Sequence, residues 1–174
     1  MGATKKTLPV KLVIAFIFKD AGPLKKAKLH LRKQFGEIDF ESEILPFTYT
    51  AYYKSEFGKN LVRQFIGFRT LIFPQHLVKI KILSSAIEEK LAHKGRRKVN
   101  IDPGYVSLSK FVLASTKDYT HRLYLGRGIF GEITLIFQGK TFRPWDWTYP
   151  DYRSSPYISI LNHLRELYRK QLQP

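Results

Sequence analysis

The chain contains no cysteine. That excludes a disulfide framework, a thiolate metal site and a cysteine nucleophile, and it fits the cytoplasm. Methionine occurs once and asparagine is scarce while Lys and Arg are abundant, a composition that leans thermophilic. Long apolar runs are also missing. The longest, Leu12 to Phe18, falls far short of the roughly 20 residues that a membrane span needs. Lys19-Asp20 follows it where a secretory leader would place small residues, so neither a span nor a signal peptide is expected.

The usual signatures of catalysis are absent as well. Gly58-Lys59-Asn60 lacks the upstream glycine and the Ser/Thr of a phosphate loop. Thr116-Lys117-Asp118 is one residue short of the base-reading motif of GTPases. There is no His-Glu-x-x-His and no glycine-framed serine. His163 and Glu166 lie one helical turn apart, a spacing that could hold a metal but is usually incidental as a lone pair. No residue set singles out a metal site, the identity of any cofactor is not legible, and whether the protein is an enzyme stays open.

What the chain does have is positive charge. Its 174 residues carry 30 Lys plus Arg against 14 Asp plus Glu. Residues 1–98 hold 20 basic and 8 acidic side chains, a net +12; residues 99–174 hold 10 and 6, a net +4. Such fields attract nucleic acid, anionic surfaces and phosphorylated ligands, so an anionic partner is expected. A hydrophobic fraction of 44%, with 13 Phe and 10 Tyr, supplies a core for one domain spanning 1–174.

Periodicity predicts the elements. Val10 to Phe18 reads as a buried strand. Pro23 opens a helix over 23–35 with Leu24, Ala27, Leu31 and Phe35 inward, and Lys25, Lys28 and Arg32 on another face. Ile38 and Phe40 suggest an exposed strand, 46–58 is aromatic and unassigned, and 61–73 is a long strand candidate. A second helix starts at Pro74 and runs to about Ala92, ahead of the basic cluster 93–98. Val99 to Ile101 reads as a short strand stopping at an Asp102-Pro103-Gly104 turn. Lys110 to Ser115 is ambiguous between strand and helix. Strands at 121–125 and 129–138 flank a Gly126-Arg127-Gly128 hairpin loop, Gly139-Lys140 turns into Thr141–Arg143, and a last helix covers 154–171. The order predicts an α+β domain, with about three helices packed on a mainly antiparallel sheet.

The hairpin register can be argued. With 126–128 as the loop, Leu125 opposes Ile129 and Arg122 opposes Glu132. Arg122, Tyr124, Glu132 and Thr134 then share a polar face, with Arg143 beside Ile136. Leu123, Ile133, Leu135 and Phe137 take the apolar one. That polar face reads either as a solvated surface with an ion pair or as a ligand site. Arg97, Asn100 and Asp102 gather at a predicted strand end, and the 115–122 segment packs hydroxyls, Lys117, His121 and Arg122 into a possible phosphate holder. Trp145 to Arg153 is the densest aromatic stretch and reads as a core seal before the last helix, with base stacking as the alternative.

Several of these segments carry a resemblance: Val99-Asn100-Ile101-Asp102-Pro103-Gly104-Tyr105, Leu113-Ala114-Ser115-Thr116-Lys117, His121-Arg122, Gly128 to Leu135, Trp147 to Tyr152, Tyr52-Tyr53 and Glu56-Phe57-Gly58. Together they resemble the uncharacterised bacterial family of domain of unknown function 4416 across nearly the whole chain, with minor departures such as Phe57 where Met is expected. Some members are labelled GTP-binding. The missing phosphate loop and base-reading motif give that label no support here.

Two functional readings follow. In the first, Lys25, Lys28, Arg32, Lys94 and Arg96 dock a nucleic-acid backbone. In the second, a small phosphorylated ligand such as a nucleotide sits among Arg97, Asn100, Lys117, Arg122, Tyr124 and Thr134. Glu132, Asp102 and His121 then serve as acid–base groups, or the two acids carry a divalent metal. A structural subunit with its positive face turned to a partner is a third possibility, and oligomeric state is not legible.

Overall fold

In a computed structural model, residues 2–50 and 52–173 are described. The chain runs β1 (Lys11–Phe18), α1 (Ala21–Phe35), β2 (Ile38–Glu41), β3 (Leu45–Pro46) and the single turn α2 (Lys54–Phe57). Then come β4 (Val62–Phe68), a 3₁₀ turn at Pro74–His76, α3 (Leu77–Lys90), β5 (Val99–Val106) and β6 (Lys110–Ser115). It closes with β7 (Leu123–Gly126), β8 (Ile129–Gln138), β9 (Thr141–Pro144), a 3₁₀ turn at Pro150–Arg153 and α4 (Ser155–Gln171). The strands make one sheet in the order β2-β4-β1-β5-β6-β8-β7, with β3 on β4 and β9 on β8; every described pairing is antiparallel. The fold is α+β, as the order of elements predicts.

β1 is buried along its whole length because it is central and covered on both faces. Leu12, Ile14, Phe16 and Phe18 pack with Leu24, Ala27 and Leu31 of α1 and with Ile80 and Ile87 of α3. Val13 and Ala15 face the other way, with Phe65 and with Tyr157, Leu161 and Leu164 of α4. Each such side chain contributes about 1.5–3 kcal/mol of burial for the larger residues. Lys11 is the exception on β1: its fully buried ammonium donates to both Asp39 oxygens at 3.0 and 2.7 Å and to the Phe68 carbonyl at 3.0 Å.

Three local expectations need correction. Asp102-Pro103-Gly104 is no turn: β5 runs through it to Val106. β6 joins β5 only from Gly104 onward, so Pro103, which has no N–H, sits where no ladder bond to β6 is made. Gly104 is needed because a Cβ there would run into the Val112 carbonyl of β6. The long 61–73 strand ends at Phe68, with only Ile72 bridging back to Val10.

The third correction concerns the hairpin. Leu123 pairs with Gly131, which carries Arg122 toward Glu132 as expected, but Gly126 pairs with Ile129 and leaves Leu125 bulged out. On the other side of β8, Phe111 pairs with Leu135 and Val112 with Ile133, so Thr134 is an extra residue. That bulge brings Leu135 onto the face of Glu132. Independently of the bulge, the polar face is the covered one, with Glu132 and Thr134 buried, while Leu123 and Ile133 of the expected apolar face are exposed. Arg143 does pair with Ile136.

Candidate functional site

Partner registers put Arg63 opposite Ile17 and Asp102 opposite Ala15, on the sheet face that α4 covers. There the side chains of β4, β5, β6 and β8 floor a cleft of about 380 Å³. Its walls are Phe47, Tyr49, Thr50, Tyr52 and Tyr53, the loop after β6 and the stretch entering α4. Arg63, Asn100, Arg122, Glu132, Asp151 and Tyr152 are buried at its base. Tyr49, Tyr52, Lys117, Tyr119 and Tyr149 are exposed and form its rim. Among the described residues, five cations line it, Arg63, Lys81, Arg97, Lys117 and Arg122, against three carboxylates, Asp102, Glu132 and Asp151.

Three knots of buried charge hold this floor. In the first, Arg63 donates to Asp151 Oδ2 at 3.0 Å and to the Tyr152 hydroxyl at 3.1 Å, and it lies against the rings of Phe47, Tyr152 and Tyr157. Burial pulls against its charge, yet Tyr152 and Asp151 hold the guanidinium above its ordinary value. Burial also pushes the Asp151 carboxyl up, and Arg63 only partly offsets it. In the second, Arg97 clasps Glu56 through two bonds of 2.8 and 2.7 Å and reaches Glu88 at 3.3 Å and Asn100 Oδ1 at 2.9 Å. Asn100 in turn donates to Asp102 Oδ2 at 2.7 Å, and Lys81 stands 3.5 Å from Asp102 Oδ1.

The third knot is centred on Glu132. Its Oε2 receives Arg122 Nε at 2.9 Å and lies 3.1 Å from His121 Nε2, while Thr134 donates to Oε1 at 3.2 Å. The rest of the Arg122 fork bonds Ser115 at 2.8 Å, the Lys117 carbonyl at 2.9 Å and the Tyr149 hydroxyl at 3.1 Å. One guanidinium thus ties β6, the loop after it and the segment before α4 to β8. His121 is stacked between Tyr119 and Trp147, and Trp147 on Trp145. The Trp147 indole donates to the Ile133 carbonyl at 3.1 Å and Thr148 to the Thr134 carbonyl at 2.6 Å. The tryptophan stretch thus ties to β8 between β7 and β9, but Trp145 and Trp147 stay exposed, and it is Tyr152 that enters the core.

Of the nine residues expected from the sequence to serve catalysis or ligand binding, six line the one cleft: Arg97, Asn100, Asp102, Lys117, Arg122 and Glu132. His121 and Thr134 support Glu132 from behind and do not line it. Tyr124 is out at the hairpin tip, its hydroxyl accepting the Gly128 N–H at 3.3 Å. Lys25 and Arg32 are exposed on α1, but Lys28 is tied to Glu41 at 2.7 Å. Lys94 and Arg96 are exposed in the tight turn closed by the His93–Arg96 bridge, where Lys94 has a positive φ of 51°. His163 packs at a tilt against Phe40 and Glu166 is paired with Arg169, so those two form no ligand pair. Among the described residues, no three His, Asp or Glu side chains converge as a metal set.

Sequence reasoning missed Arg63, Lys81, Glu56, Glu88, Asp151 and the rim tyrosines. Two of them left a trace. Lys81 and Glu88 are seven residues apart on α3, two turns, so both fall on a helix face that is otherwise buried. A charge repeated on a buried face at that spacing marks a polar function for that face.

The fold and the site together define an α+β domain with a charged, aromatic-rimmed cleft on one face of an antiparallel sheet. The chain belongs to the DUF4416 family, an uncharacterised bacterial domain of unknown function, whose pattern matches residues 8–168. No curated protein and no solved structure matches it. No described helix is long and apolar enough to cross a membrane.

Proposed function

We propose that this domain binds a small phosphorylated ligand, such as a nucleotide, in the cleft on the α4 face. The observation that carries this reading is the state of Lys117. Among the described residues, each of the other four cations lining the cleft has a carboxylate within 3.5 Å, whereas Lys117 has none and meets only the Tyr52 hydroxyl, at 2.9 Å. An ammonium held at the rim of a concave site, with no carboxylate to neutralise it, favours an anion. The cleft volume of about 380 Å³ lies within the ~300–1,000 Å³ of small-molecule sites. The test is calorimetric titration of the protein with pyrophosphate, ribose 5-phosphate and AMP, repeated with Lys117→Ala. Saturable binding that weakens in the variant supports the reading; absence of saturable binding to all three overturns it.

A nucleic-acid backbone on α1 is the second reading. It is favoured by Lys25, Lys26, Arg32 and Lys33, all exposed, on a helix whose first turn holds no acid. Binding of this kind weakens with salt at a log–log slope of about −0.9 per neutralised phosphate. Titration of duplex RNA and DNA at two salt concentrations checks it, and affinity indifferent to salt argues against it.

A further inference from the structure

We infer that the cleft orients its ligand, phosphate outward on Lys117 and ring inward, with a hydroxyl or amino group of that ring donating to Asp102. The inference rests on the phosphorylated-ligand reading above and adds to it which end enters and what the inner end must carry.

The charge is arranged by depth. At the base, Arg63 and Arg122 are buried and committed to Asp151 and Glu132, and the half-buried Arg97 is committed to Glu56 and Glu88. A phosphate driven that far would meet Asp102, Glu132 and Asp151 and would have to displace one of them from its partner. Displacing a buried carboxylate leaves an uncompensated charge, so the inner end is closed to anions. At the rim the balance is reversed, because Lys117 is exposed and has no carboxylate partner among the described residues.

Asp102 supplies the inner recognition. Its Oδ2 accepts from Asn100, but among the described residues its Oδ1 accepts no hydrogen bond, and the nearest cation there, Lys81, stands 3.5 Å away. The carboxylate is a quarter exposed, in the wall of the cleft. A carboxylate oxygen has two acceptor sites, so this one asks for a donor. At the rim, beside Lys117, the exposed rings of Tyr49 and Tyr149 offer apolar faces for a planar or puckered ring, while Tyr52 and Tyr119 already lie under Lys117 and Arg122. The shared chemistry is a phosphorylated ring with hydroxyl or amino donors, which sugar phosphates and nucleotides both present.

The test compares pyrophosphate, which is anion alone, with ribose 5-phosphate, 2-deoxyribose 5-phosphate and AMP, by calorimetry on the wild type, Lys117→Ala and Asp102→Asn. Lys117→Ala weakens every ligand. Asp102→Asn weakens the ring-bearing ligands about tenfold or more and leaves pyrophosphate nearly unchanged. On the wild type, ribose 5-phosphate and AMP bind more tightly than pyrophosphate, and the tighter of the two names the source of the ring. The wild-type comparison stands even where Asp102→Asn folds poorly. Ring-bearing ligands that bind no more tightly than pyrophosphate, or an Asp102→Asn variant that loses pyrophosphate equally, overturn the orientation while leaving the phosphate reading intact. No binding of any of them removes both.

Discussion

The Glu88 carboxylate of α3 accepts a hydrogen bond from the backbone N–H of Ile101 in β5. On the same residue, Lys81 donates to the Ile101 carbonyl at 3.2 Å. β6 pairs with β5 only from Gly104, so without this pair both Ile101 backbone groups would be buried and unpartnered. Two charged side chains of a helix thus stand in for a missing strand, and one of them, Lys81, also lines the cleft. Glu88→Ala removes the acceptor and leaves the Ile101 N–H buried and unpartnered, so it costs about 1–3 kcal/mol. Glu88→Gln keeps an acceptor and costs less. Urea unfolding of the two variants checks the order.

Glu56 and Glu88 give opposite pH dependences. The hydrogen bonds from Arg97 hold the Glu56 carboxyl below its ordinary value. Its contribution is therefore present above the unfolded-state value and is lost as pH falls through the folded one. Burial pushes the Glu88 carboxyl up, against Lys81 and the Ile101 N–H. The native state then holds its proton longer, and stability declines as pH rises from the unfolded value through the raised folded one. In unfolding curves taken between roughly pH 3 and 8, Glu56→Gln flattens the acid limb and Glu88→Gln removes the decline above it.

Arg122 binds the site together. Arg122→Met leaves Glu132, 2% exposed, without its guanidinium and costs about 3–5 kcal/mol. Arg122→Lys keeps a charge but not the fork that reaches Ser115, the Lys117 carbonyl and Tyr149. It is expected to stay folded while backbone amides of 116–121 exchange faster. Unchanged exchange in that loop would falsify the bracing role.

Gly104→Ala places a methyl against the Val112 carbonyl, which is ladder backbone and cannot swing aside. A cost of about 1–3 kcal/mol is expected from such overpacking. Gly58→Ala meets no neighbour but sits at a φ of 86°, so backbone strain of about 1 kcal/mol is its expected penalty. Denaturant midpoints rank the two.

The elements that were legible in the sequence are those whose pattern is local. β1 is a continuous apolar run, and α1 and α4 show apolar residues at helical spacing, so their existence and inward faces could be read directly. Asp102-Pro103-Gly104 was misread for the same reason: turn chemistry is a local preference, and here pairing with β1 overrides it. On β8 the alternation of faces is interrupted at Thr134, because a bulge is defined by the partner strand and leaves no mark in the strand that carries it, and which face is covered depends on segments as distant as Tyr149.

By itself the sequence determined an α+β domain, its three long helices, its excess of positive charge and the polar residues gathered between 97 and 132. Periodicity, composition and turn preference act over a few residues, and those are the features they reach. Tertiary structure alone decided that Glu132 faces a covered cleft, that Arg63 and Lys81 reach it from elements distant in sequence, and that Lys117, at its rim, has no carboxylate partner among the described residues. Those relations depend on which strands neighbour one another and on where a buried charge finds its counter-charge. In this chain such partners lie as far apart as residues 63 and 151.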